Sequence, residues 1–243
     1  MLQVVGTPIG NLDDLCPRAR EALATCDLVA AEDTRHSIQL LRHHGIERPI
    51  VSLHEHNEAR RTAELIGDLR NGRTIALISD AGLPGICDPG SRLVAACHRE
   101  GIPVRVLPGP SALVTALAGS GFDGSRFFFA GFLPAKSGQR ANELAAAAAR
   151  AETTVCYETP HRLVRALEAA ATALPDRLLC VARELTKHFE EFRVADPATL
   201  LAHYTAHPPK GEIVLVIEGQ AEAARRQRRL LADTRDSDGS PKV

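Results

Sequence analysis

The stretch with the most chemical promise is Ser79-Asp80-Ala81-Gly82-Leu83-Pro84-Gly85-Ile86-Cys87-Asp88-Pro89-Gly90, which directly follows the apolar run 74–78. An apolar run that ends in a Gly/Pro loop reads as a buried strand delivering that loop to the carboxyl edge of a sheet, where α/β proteins bind ligands. Gly82, Gly85 and Gly90 let backbone approach a ligand with no Cβ in the way. A long structural loop has the same composition, so both readings stand at this point. Gly6-Thr7-Pro8-Ile9-Gly10-Asn11 closes the apolar run 2–5 in the same manner. It has no Lys-Ser/Thr pair, which disfavours a nucleoside-triphosphate loop. A GxGxxG occurs at Gly119 to Gly124, but a helical pattern precedes it and a strand pattern follows it, so it reads as a turn.

Three charged stretches come next. Glu32-Asp33-Thr34-Arg35 follows an apolar run and suits a helix cap. His54-Glu55-His56-Asn57-Glu58 places two histidines two apart with no third ligand in view, so no metal site is expected. In Arg183-Glu184-Leu185-Thr186-Lys187 a strand runs into ionisable groups, which suits a site edge and exposed ion pairs equally.

The elements that must carry these stretches alternate. Strands are expected at 2–5, 27–31, 74–79 and 103–107, and helices at 17–25, 34–41, 57–70 and 91–99. That alternation implies parallel strands joined by right-handed crossovers. From about Pro108 the strands come more densely, at 126–132, 153–157, 178–183 and 212–218, with helices at 111–118, 138–150 and 161–173. That half reads as a mixed sheet. The expected division is a domain over 1–108, a second over 109–219 and a polar, frayed tail over 220–243.

Composition narrows the function. The chain has 243 residues, 44% of them hydrophobic and 24% charged, enough for a real core in one large or two small domains. A net charge of −1 argues against a protein that coats nucleic acid without specificity, although a local basic face remains compatible. Arg225, Arg226, Arg228 and Arg229 read as a solvated helix face. Trp is absent and aromatic residues make up 4%, so no exposed platform for stacking bases is expected. The six cysteines form no CxxC pair and most sit in apolar runs, as in a reduced cytoplasmic protein. No leader pattern opens the chain, and no apolar run approaches the roughly 20 residues that span a bilayer.

Taken in order, TPIGNLDDL, AEDTRHS, SLHEHNE, ISDAGLPGICDPG, LPGPSAL, GFLPAK, YETPHR and ARELTKHFEE resemble the ribosomal RNA small subunit methyltransferase I family, over roughly residues 3–219. That family is similar to the tetrapyrrole (precorrin) methylases. The resemblance implies a two-domain α/β fold, with a mostly parallel N-terminal sheet, a mixed C-terminal sheet, flanking helices and a cofactor cleft. It implies S-adenosylmethionine as cofactor, 2′-O-methylation of a cytidine in the decoding region of small-subunit rRNA (free or in the 30S particle), and a homodimer in the cytoplasm. Matched motif by motif, it implies cofactor contacts at Pro8, Asp80, Ala81, Gly82, Ile86, Ser111, Ala112, Glu158 and Thr186. Leu83 departs from the pattern, standing where a Thr is usual.

A ribose hydroxyl is a poor nucleophile, so a base or a cationic neighbour would help. Lys187, Glu184 and Glu32 are the candidates, with Arg35, Arg162 and Arg183 for RNA phosphates. A Lys serves as base only where its pKa is lowered. Two rival readings share the cleft: a methylase of tetrapyrroles, and a binding module that has lost catalysis.

Overall fold

The computed structural model describes the backbone of residues 1–237 and the side chains of 1–229. Two compact units result, Met1–Ala112 and one beginning at Leu113. The division falls after Ala112 where the sequence suggests Pro108, because the segment 108–112 packs back onto loops of the first unit.

In the first unit the order is β1 (Leu2–Val5), α1 (Pro17–Thr25), β2 (Leu28–Ala31), α2 (Thr34–His43), β3 (Ile50–Ser52), α3 (Glu58–Arg70), β4 (Ile75–Ile78), α4 (Ser91–Arg99) and β5 (Val104–Leu107). The five strands form one parallel sheet ordered β3-β2-β4-β1-β5. Side chains alternate across it. Val5, Val29, Ala31, Ala76 and Ile78 pack with α1 and α2. Leu2, Val4, Leu28, Ala30, Ile75 and Leu77 pack with α3 and α4 on the opposite face. Burial on both faces is why these strands are continuous apolar runs in the sequence. β2 connects toward β3, whereas its neighbour β4 connects toward β5. The chain therefore diverges beyond the carboxyl ends of β2 and β4, the switch point at which such sheets bind ligands, and the loop after β4 borders it.

The second unit contains α5 (Ala112–Ser120), β6 (Phe127–Phe132), α6 (Ser137–Ala149), β7 (Thr153–Glu158), α7 (Pro160–Ala173), β8 (Leu179–Arg183), β9 (Glu191–Ala195), α8 (Pro197–Ala206), β10 (Ile213–Ile217) and α9 (Gln220–Ser237). Its sheet runs β6-β7-β10-β8-β9, parallel only between β6 and β7. Helices α6, α7 and α8 cover one face around Leu144, Leu163, Leu167, Leu200 and Tyr204. The GxGxxG is the end of α5 and a turn, as its context implied. Its first glycine has a packing reason, since a Cβ on Gly119 would sit 2.2 Å from the Phe192 ring.

One expectation is corrected here and another is qualified. The stretch from 220, read as a frayed tail, is helical to Ser237, and 238–243 lie outside the described residues. Buried Glu218 explains the order. It takes a two-point ion pair from Arg226, each contact 2.9 Å, while Glu222 Oε2 accepts the Asp123 N–H at 3.0 Å. Second, the low aromatic content is unevenly placed: Phe127, Phe128, Phe132 and Phe189 are 41, 44, 50 and 66% accessible, although nothing among the described residues shows them as a platform for bases. A low average content says nothing about placement.

Candidate functional site

The loops after β1, β4 and β5 interlock at the carboxyl edge of the first unit's sheet, beside the switch point. The Thr7 N–H donates to Gly82 O at 2.9 Å and the Gly82 N–H to Thr7 O at 3.2 Å, a one-residue ladder between the two Gly/Pro loops. Thr7 Oγ1 adds a hydrogen bond to Ser79 O at 3.2 Å. Gly6 and Gly109 meet backbone to backbone, and a Cβ on either would lie 2.8 Å from main-chain atoms of the other. Leu83 Cδ2 fills the adjoining space, 3.3 Å from where a Gly6 Cβ would stand. Gly82 lies against Pro110, whose carbonyl is 3.7 Å from the position of a Gly82 Cβ. The structure thus brings Pro8, Asp80, Ala81, Gly82, Ser111 and Ala112 onto three mutually fixed loops. Pro8 is buried, Asp80, Ser111 and Ala112 are partly exposed, and Ala81 and Ile86 are open to solvent.

Carboxylates gather at the same edge. The Asp33 N–H donates to Asp80 Oδ1 at 3.1 Å, joining the end of β2 to the end of β4. Burial pushes the Glu32 carboxyl up, and the neighbouring Asp80 charge adds to this. Burial, with Glu32 and Asp80 nearby, pushes Asp88 up to about 6 against a hydrogen bond from Ser79. Asp88 was missed in the sequence because its neighbours lie 56 and 8 positions away. Its raised pKa has a consequence for stability. The folded state disfavours the charged carboxylate, so its contribution is full below the unfolded value of 3.8 and is lost as pH rises through about 6. Asp88→Asn is therefore expected to raise the unfolding free energy by about 2 kcal/mol at pH 8 and to change little at pH 3.5. Thermal melts at the two pH values check this, and equal shifts at both would count against the carboxylate cluster.

The second unit holds the other candidates. Glu184 and Thr186 occupy left-handed backbone, with φ of 50° and 65°, uncommon for residues with side chains. The turn is held by many bonds. Lys187 Nζ donates to Glu184 Oε1 and Glu212 Oε2, both at 2.9 Å, the Glu212 N–H donates to Glu184 Oε1 at 3.1 Å, and the Thr186 N–H donates to Glu190 Oε2 at 2.7 Å. Backbone strain that is over-determined in this way clusters at functional sites. Burial lowers the Lys187 pKa, but the Glu212 and Glu184 carboxylates outweigh it and hold the ammonium charged. Burial raises Glu184, and the Lys187 hydrogen bond and Glu212 N–H reverse that, leaving its carboxyl below the usual range. Both side chains are held ionised. Lys187 is a cation in this setting, and its electrostatics oppose the role of base. Gly211 and Glu212, which the sequence did not single out, complete the turn.

The remaining candidates separate. Arg35 is 89% exposed at the start of α2, paired with Asp33 at 2.8 Å. Arg183 is tied to Glu191 Oε2 at 3.1 Å and Lys210 O at 3.2 Å. Arg162 pairs with Glu158 Oε1 at 2.9 Å and donates to the Leu133 carbonyl. Glu158, expected as a cofactor contact, has a fully buried side chain. Among the described residues no group of three or more His, Cys, Asp or Glu is arranged to hold a metal ion. No helix among them is long and apolar enough to cross a membrane.

Comparison with known proteins gives a consistent picture. Residues 1–201 match the family described as Tetrapyrrole (Corrin/Porphyrin) Methylases. The chain is 50% identical over 220 residues to the ribosomal RNA small subunit methyltransferase I of Synechocystis sp., covering 90% of this chain and 79% of that protein. The proteins of that name in Escherichia coli O157:H7 and Thermotoga maritima are 47% and 42% identical; each match covers 90% of this chain, and 77% and 98% of the respective relative. Among solved structures, a diphthine synthase superposes with a TM-score of 0.71 at 15% identity, covering 94% of this chain and 95% of that one. The methyltransferase CobJ superposes at 0.66 with 21% identity, covering 90% and 94%. These two likenesses show a shared α/β fold.

Proposed function

The chain belongs to the tetrapyrrole methylase family and, within it, to the ribosomal RNA small subunit methyltransferases I; from that premise we propose that it transfers a methyl group from S-adenosylmethionine to the 2′-hydroxyl of a cytidine ribose in the decoding region of small-subunit rRNA. The observation that carries the reading is the interlock of three loops at the carboxyl edge of the first unit's sheet, with Gly6 against Gly109 and Thr7 bridged to Gly82.

The residues fit the cofactor. It is a cationic sulfonium with a nucleoside and an amino-acid arm, and the edge offers glycine-lined backbone beside the carboxyls of Glu32, Asp80 and Asp88. In this reading Pro8, Asp80, Ala81, Gly82, Ile86, Ser111 and Ala112 hold it, and Thr186 completes the proposed set. When bound, the cofactor supplies an electrophilic methyl carbon, and the protein supplies alignment. Glu32 is the proton acceptor for the ribose hydroxyl, since its raised pKa makes the ionised form a stronger base than an ordinary carboxylate. Lys187 and Arg35 supply positive charge toward the RNA, and Arg183 and Arg162 are held mainly by protein groups.

The test is transfer of radiolabelled methyl from S-adenosylmethionine with small ribosomal subunits and a precorrin offered together. Label is expected in the RNA; label in the macrocycle alone sinks the reading, and no transfer to either would indicate a binding module.

The chain is further read as a cytoplasmic homodimer. β6 is an edge strand exposing Phe127, Phe128 and Phe132. A bare apolar edge of this kind is normally paired or covered in a working protein. Light scattering is expected to give twice the chain mass for the native protein and once for Phe132→Asp. A native monomer would contradict this.

A further inference from the structure

The loop 133–136, joining β6 to α6, is gripped from inside by a largely buried ionic network. The Leu133 N–H donates to Tyr157 O at 3.1 Å. The three carbonyls that follow are then taken in succession by two guanidiniums. Arg162 Nη2 donates to Leu133 O, and Arg140 Nη1 donates to Pro134 O at 3.4 Å and Ala135 O at 3.0 Å. Arg140 is only 8% exposed, and the Glu158 side chain is fully buried. Glu158 Oε1 lies 2.9 Å from Arg162 Nε and accepts the Thr159 N–H at 2.8 Å; burial pushes its carboxyl up, and that hydrogen bond with the Arg162 and Arg140 charges works against the rise.

Two buried charges and a third half-buried one are a costly way to hold a fold, and apolar side chains of similar volume often stabilise as well or better. What this network adds is orientation, because consecutive peptide planes are fixed by planar donors. The residue that follows is Lys136, which is exposed and makes no ion pair among the described residues. We propose that Arg140, with Arg162 and Glu158, is a positioning residue that fixes the 133–135 backbone so that the Lys136 ammonium meets a phosphate of the substrate RNA. This rests on the rRNA reading above.

The test uses the full chain, purified small ribosomal subunits and S-adenosylmethionine. Arg140→Lys keeps a charge near Glu158 but is shorter and lacks the guanidinium Nη1 that donates to both carbonyls. It is expected to raise KM for the subunit about tenfold, with kcat within about twofold and S-adenosylhomocysteine affinity unchanged. Deuterium uptake at the amides of 135 and 136 should rise. Lys136→Met should raise KM by a similar factor and reduce the slope of log KM against log salt by about 1. Combining the two should do no more than either alone, as for residues acting through one contact. Effects that multiply, a fall in kcat without a change in KM, or an unchanged KM in either variant would overturn the proposal. Lys136 is a surface residue, so its variant decides the matter even if Arg140→Lys folds poorly. A native protein that methylates no RNA would sink this proposal together with the rRNA reading; an active native protein with an indifferent Lys136→Met would sink this one alone.

Discussion

Gly109→Ala is expected to weaken S-adenosylhomocysteine binding at least about 100-fold, or about 2.7 kcal/mol. The new methyl would stand 2.8 Å from Gly6 main-chain atoms, and backbone cannot rotate away as a side chain can. The loops after β1 and β5 must part. Because Thr7 is bridged to Gly82, the displacement reaches the loop after β4 as well. Overpacking of this kind costs roughly 1–3 kcal/mol of stability, so the unit should stay folded while losing its ligand. Gly67→Ala is the control. Gly67 lies within α3, and a Cβ there would meet nothing within 4 Å, so the substitution should stabilise by about 1 kcal/mol and leave binding alone. Calorimetric titration with thermal melts reads both. Native-like affinity in Gly109→Ala would mean that the interlocked loops do not hold the cofactor.

The second large effect is expected at Gly211→Ala. Gly211 has φ of +80°, and a Cβ there would lie 2.0 Å from Glu184 Oε1 and 2.6 Å from its Cγ. The whole Glu184 side chain would have to leave, breaking its contacts with Lys187 Nζ and the Glu212 N–H. The left-handed turn at Glu184 and Thr186 would lose its clamp. Misplacement of about 1 Å in a site of this kind costs about 100-fold in rate, and that is the fall expected in single-turnover methyl transfer. Affinity for S-adenosylhomocysteine should fall less than in Gly109→Ala, because the loops around Gly6, Gly82 and Gly109 are untouched and only the proposed Thr186 contact is disturbed. Native turnover in this variant would remove the 184–190 turn from the mechanism.

Much of the fold is legible in the sequence because the strands of the first unit are buried on both faces and stand out as apolar runs. β3 is not legible: Ile50–Ser52 is three half-buried residues after Pro49. β9 is hidden by the charges in Glu191–Ala195, which lies at a sheet edge and is half exposed. α8 carried a readable start, Asp196 followed by Pro197, a capping residue and a first-turn proline, and the charged motif before it drew attention away. α9 looks like a tail because its order depends on Glu218 and Asp123, neither of which belongs to it. The site follows the same division. Loops that end apolar strands are visible as Gly/Pro runs, whereas Asp88, Gly211 and Glu212 acquire their importance from partners distant in the chain. The pairing that turns Lys187 from a possible base into a fixed cation is likewise a matter of distance and not of motif.

The central claim is tested most directly by incubating purified protein and S-adenosylmethionine with small ribosomal subunits from cells lacking the gene, then mapping alkaline cleavage of the rRNA at single-nucleotide resolution. A methylated 2′-oxygen cannot attack the adjacent phosphate, so the account predicts one new protected cytidine in the decoding region, dependent on the cofactor. An unchanged cleavage ladder, or methyl label confined to a base, would contradict it.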